Sequence, residues 1–204
     1  MAPIIVTLII MVLYHGQIQA QPDSVTPKVV HAGGGNATSP IINFVPQQVG
    51  IKVGESIIWD NPTPVAEPHS VTFMKDKKFF ADFVAPFIVT YSTEFQSPQH
   101  GSNTEPIIVP SQSADSKVVL TVNARAFNPV TIDSKGNATY LPPNSQYSMD
   151  GTESYINSGW LWPNELAPPS GPAINNFTMT FEKAGTYSYV CNVHPWMTGL
   201  VTVN

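Results

Sequence analysis

The chain has 204 residues, 42% of them hydrophobic and 11% charged, less than half the roughly 25% charge of an average globular protein. That excludes a charge-driven disordered polymer, and 20 prolines beside 13 glycines point to many turns without a collagen pattern. Nine Lys and Arg against 14 Asp and Glu give a formal charge of −5, and only Lys75, Lys77 and Lys78 cluster, so nucleic-acid binding has no electrostatic support.

Residues 1–20 hold no Lys, Arg, Asp or Glu, and 3–14 form an almost unbroken apolar run of the length of a signal-peptide core, too short for a comfortable membrane span. The expectation is export to an extracytoplasmic space or the cell surface. Cleavage after Ala20 would release the chain, and without it the segment serves as an N-terminal anchor, since the positive charge usual before such a run is missing. No other stretch has spanning length. Three sequons, at Asn36, Asn137 and Asn176, agree with export.

Beyond the leader, short runs rich in Val, Ile, Thr, Phe and Tyr alternate with turn residues, and no long stretch carries a helical apolar period. This predicts a single all-β domain over 21–204, a sandwich or barrel. Strands are expected at 28–31, 41–44, 49–53, 56–60, 70–74, 87–91, 117–123, 177–181, 186–191 and 200–203. In 177–181 apolar residues recur at every second position, and in 187–191 the two tyrosines share a face with Cys191, with Ala184-Gly185 as the turn between these runs. The stretch from about 75 to 157, rich in Ser, Pro, Gln and Gly, reads as an insert decorating the sandwich. A faint echo of 44–49 in 127–132 brings no second His or Cys set with it, so a duplicated domain is not expected.

An exported chain with one cysteine is unusual, because secreted proteins use cysteines in pairs. Cys191 opens the run Cys191-Asn192-Val193-His194-Pro195-Trp196-Met197, which brings thiolate, imidazole and thioether into one short loop. With His69 at the start of an earlier strand, the set becomes two His, one Cys and a weak axial Met. That is the blue-copper electron-transfer arrangement, in which soft sulfur suits Cu(I), imidazole suits either oxidation state and a long thioether bond tunes the potential. Alone, His69 would read as an ordinary half-buried histidine and Met197 as core filler. The spacing of the loop makes both candidate ligands.

In these residues the chain resembles the plastocyanin and amicyanin family of blue copper proteins, the cupredoxins. The ending from Gly185 to Asn204 follows the family's strand, ligand loop and closing strand, and the Cys-x2-His-x2-Met spacing with Pro195 after the histidine is closer to amicyanin than to plastocyanin. Phe44-x-Pro46, Val53-Gly54-Glu55, Trp59, Asn61 and Pro68-His69 extend the match, and Asn157-Ser158-Gly159-Trp160 after a long insert is similar to exported cupredoxins of ammonia-oxidising archaea. The resemblance implies a Greek-key β-sandwich, one type 1 copper ion on His69, Cys191, His194 and Met197, and exchange of electrons with a redox protein donor and acceptor. Electrons would pass at the exposed edge of His194, beside a small apolar patch of Pro195 and Trp196. Val190 stands where plastocyanin presents an aromatic docking residue, so a second port is not carried over. The backbone N–H of Ser70 is expected to reach the thiolate.

Other classes stay open at this point. A copper carrier or storage protein would use the same ligands. A copper redox enzyme usually needs further copper held by His-x-His pairs, which the sequence lacks, and a thiol enzyme would need a third orienting residue that nothing marks. His31, His100 and His15 are assigned no metal, and Trp160 and Trp162 are read as packing or rim residues.

Overall fold

Period-two alternation becomes two facing sheets in the computed structural model, which describes residues 26–75, 88–90, 106–110, 118–167 and 173–204. The strands in chain order are β1 (Lys28–Asn36), β2 (Ser39–Val45), β3 (Gln48–Ile51), β4 (Ser56–Asp60), β5 (Thr72–Met74), β6 (Ile88–Thr90), β7 (Pro106–Pro110) and β8 (Val118–Asn123). After the helical turn α1 (Ala124–Phe127) come β9 (Pro129–Ile132), β10 (Ala138–Tyr140), β11 (Gln146–Met149), β12 (Tyr155–Ser158), β13 (Asn176–Phe181), β14 (Gly185–Val190) and β15 (Thr198–Val203). One sheet runs β11-β13-β4-β1-β2 and the other β10-β9-β12-β5-β14-β15-β3, while β6-β8-β7 form a separate antiparallel sheet. The chain is therefore all-β, a two-sheet sandwich whose successive strands repeatedly change sheet. Leader, cleavage boundary and anchor fall outside the described residues, as does His100.

Between the sheets, Phe177, Met179 and Phe181 of β13 point inward with Ile57 and Trp59 of β4. Trp59 is the hub. Its ring meets Tyr189 at a 5.5 Å centroid distance and Phe73 at 6.0 Å, both edge-on, and Tyr189 meets Phe44 at 4.7 Å. Such edge-to-face pairs each contribute about 0.5–1.5 kcal/mol beyond the area they bury. They tie β4 of one sheet to β5 and β14 of the other, the two strands that lead into the site.

The insert differs from the expected decoration. β12 pairs antiparallel with both β5 and β9, β10 continues outward from β9, and β11 pairs in parallel with β13, so the stretch lengthens both sheets. The reason it escapes a sequence reading is burial on both faces. All four residues of β9 and of β12 are buried, so neither strand shows alternation, and the polar Asn157 and Ser158 in β12 hide an interior strand. The expected strand at 70–74 also begins late, at Thr72, because its first residues spend their hydrogen bonds elsewhere: Ser70 N–H donates to Cys191 Sγ at 3.3 Å and Val71 N–H to Ser158 Oγ at 2.8 Å.

Gly199 stands directly across from Tyr189, and a Cβ there would lie 2.2 Å from the Tyr189 ring. Gly199→Ala must therefore displace this ring from Trp59 and Phe44. The expected loss is about 1–3 kcal/mol, the usual cost of overpacking a filled core, read as a lower urea midpoint of the metal-free protein. An unchanged midpoint would mean that Tyr189 has a second seat.

Candidate metal centre

Three of the four sequence-predicted ligands converge. His69, Cys191 and His194 are all buried, and each offers a donor atom, the three lying within 4.8 Å of one another. The two Nδ1 atoms are 3.1 Å apart, and Cys191 Sγ is 3.7 Å from His194 Nδ1. Nitrogens about 2.0–2.1 Å from one tetrahedrally coordinated ion stand roughly 3.3 Å apart, so the spacing of the imidazoles suits a shared metal ion. Met197 is fully buried in the same loop.

Backbone hydrogen bonds hold the loop. Cys191 N–H donates to Met197 O at 2.9 Å and Met197 N–H to His194 O at 2.8 Å, so the loop closes on itself above the β14–β15 hairpin. Asn192 fastens it to the rest of the fold: its N–H donates to Ser70 Oγ at 2.9 Å, and its Nδ2 donates to Ala126 O at 3.0 Å. Ser70 N–H donates to Cys191 Sγ at 3.3 Å, the contact anticipated from sequence. A donor at the sulfur favours the thiolate over the thiol.

His69 reaches the centre through a gap in β1. The bulge between Ala32 and Gly34 places Gly33 at φ +98°, and a Cβ at Gly33 would lie 2.7 Å from His69 Nε2 and 2.2 Å from Thr63 Oγ1. Only glycine leaves room for the imidazole there. His69 Nε2 has no hydrogen-bond partner among the described residues, whereas Nδ1 faces His194 Nδ1, so Nδ1 is the nitrogen turned toward the other donors.

His194 differs from the bare edge expected of it. The residue is 8% exposed, and its Nε2 lies 3.0 Å from Glu67 Oε1. Sequence reasoning missed Glu67. Its only signal was an acidic residue two positions before His69, and nothing in a linear reading aims that side chain at a histidine in the C-terminal loop. Trp196, by contrast, is 67% exposed, with its ring 5.3 Å from that of His194. Trp160 and Trp162 are buried with Phe127 and Ala126, consistent with packing roles. His31 pairs with Asp60 at 2.6 Å on the surface.

No family model and no curated relative matches the chain. The chain is similar to several solved structures. Amicyanin from Paracoccus versutus shares 16% identity over 90% of this chain and 85% of that one, with a TM-score of 0.31. A purple cupredoxin from Nitrosopumilus maritimus shares 18% over 87% and 99%, with a TM-score of 0.35. A copper-containing nitrite reductase from Thermus scotoductus shares 13% over 92% of this chain but 24% of its own, with a TM-score of 0.36. At such identities and scores the likeness assigns no role, and the chemistry is read from the side chains.

Burial sets the resting protonation of the centre. Desolvation first, and then the neighbouring His194, pull His69 down to about 3, and desolvation also lowers His194 against the opposing pull of Glu67. The Cys191 thiol is pushed up by burial, partly offset by backbone donors. All three are therefore neutral at pH 7: the imidazoles can donate lone pairs to a cation, whereas Cys191 must first release its proton to solvent. The sign of the pH effect follows. Below the ordinary histidine value of 6.5 the unfolded chain binds a proton that folded His69 refuses until about 3, so stability of the metal-free protein falls as pH drops through that window. Urea midpoints at pH 7.5 and 5 should show the fall, and His69→Leu should flatten it.

Proposed function

We propose that the chain is a one-electron carrier with a single copper ion held by His69, Cys191 and His194, and by Met197 as a weak axial donor. The observation that carries this reading is the buried His-Cys-His group with an N–H already aimed at the sulfur. The donor set fits: one thiolate and two imidazoles select copper among the common metals when a thioether stands at the fourth position. When bound, copper supplies a one-electron couple between Cu(I) and Cu(II).

The chain supplies rigidity. Cys191 and His194 sit in a loop tied by its own backbone bonds, and His69 is pinned by paired bonds to Leu161 at 3.1 and 2.7 Å, so the donors have little freedom to rearrange between oxidation states. Cys191 must give up its proton on loading, and Ser70 N–H supports the resulting charge. His194, nearest the surface, is the route for the electron, and exposed Trp196 offers an apolar contact for a redox donor and acceptor. Brief redox encounters bury less than about 1,200 Å², which a patch of this kind can supply. The proposed setting is extracytoplasmic, following from the apolar leader.

Two measurements test the reading. Adding Cu(II) to the purified protein should give an intense blue thiolate-to-copper band, and Cys191→Ser should abolish it, since Cys191 is the sole cysteine. A colourless Cu(II) complex overturns the proposal, and loss of copper during repeated reduction and reoxidation would favour a copper carrier instead. Met197→Leu should keep the blue band and raise the reduction potential, because losing a sulfur donor destabilises Cu(II) more than Cu(I). Cyclic voltammetry reads the shift, and an unchanged potential removes Met197 from the ligand set.

A further inference from the structure

The loop joining β4 to His69 does more than deliver that histidine. Asn61, buried at its start, donates from Nδ2 to Glu67 O at 2.9 Å and to Leu161 O at 2.8 Å, while its Oδ1 accepts from Thr63 N–H at 3.0 Å. One amide side chain thus fixes both ends of residues 61–67, and Glu67 N–H donates to Val65 O at 2.7 Å. Held in this way, the Glu67 carboxylate meets His194 Nε2 at 3.0 Å, with side-chain exposures of 27% and 11%. Its carboxylate is not in the converging His-Cys-His group and faces the outer nitrogen of His194 instead.

We propose that Glu67 is a positioning residue for His194: it keeps the proton on Nε2, leaves Nδ1 bare toward Cys191 and His69, and holds the reduction potential of the copper site down. A carboxylate can only accept, so the nitrogen facing it must donate. That choice of tautomer frees the other nitrogen for the metal, and the hydrogen bond makes the ring a better donor. The negative charge beside the ring also favours the more positive metal state. The loop that carries one ligand, His69, therefore orients the other.

The part concerning potential rests on the copper reading above, whereas the tautomer does not, and the test separates them. Nitrogen-15 chemical shifts of the histidines in the metal-free protein at pH 8 should place the His194 proton on Nε2, and Glu67→Ala should shift the ring toward a mixture of tautomers. A proton on Nδ1 in the unaltered protein, or no change in the variant, overturns the proposal whether or not the protein binds copper. In the copper-loaded protein, Glu67→Gln keeps an acceptor of the same shape and removes the charge. The ratio of Cu(II) to Cu(I) affinity should fall about threefold, an upward shift of ~28 mV at about 59 mV per tenfold change for one electron. An unshifted potential in a protein that is blue overturns the electrostatic role. Absence of the blue band in the unaltered protein would instead count against the copper reading and leave the tautomer result to decide the role of Glu67.

Discussion

Two imidazoles with nitrogens 3.1 Å apart, beside a buried thiol, cannot all carry the protons that water would give them. Every proton added there is a charge taken out of solvent and set against its neighbour. The scaffold keeps the three donors together nonetheless. In the metal-free chain one proton lies between the two Nδ1 atoms and the thiol keeps its own, and a soft cation can take the place of both. The stability contributed by the aromatic core around Trp59 is what holds this group in place.

A run of polar side chains carries that stability to the sulfur. Asn157 of β12 donates from Nδ2 to Arg125 O at 2.9 Å and Ala126 O at 3.0 Å, and its Oδ1 accepts from Thr72 Oγ1 at 3.0 Å. Thr72 is 3.1 Å from Ser70 Oγ, which bonds both the Oδ1 and the N–H of Asn192. Each member is buried, so breaking one link leaves a polar atom dry at a cost of about 1–3 kcal/mol. The position of Cys191 is thereby over-determined: β14 sets it along the strand, and this chain of bonds sets it sideways.

How much of this could be read from the residues depends on whether the signal was local. The alternation in β13 and the Tyr187, Tyr189, Cys191 face were legible because one side of each strand is covered and the other is not. The loop from Cys191 to Met197 was legible because its donors are neighbours in sequence. His69 was tied to it by the donor set it completes and by resemblance, not by a local pattern, and β9 and β12 were lost because strands buried on both faces carry no period. Glu67 was invisible for a further reason. Its role depends on how Asn61 folds the intervening loop, and a single acidic side chain beside a proline has many ordinary explanations on a surface.

The added strands have a consequence for how the centre can be influenced from afar. β10 lies at the edge of the seven-stranded sheet, and from it β9 and β12 lead by continuous pairing to β5, whose Thr72 stands two hydrogen-bonded steps from the residue after Cys191. A body gripping that outer edge would press on a lever whose short arm ends beside the sulfur. The stretch that reads in sequence as ornament is therefore joined, strand by strand and then bond by bond, to the residue that follows the thiol.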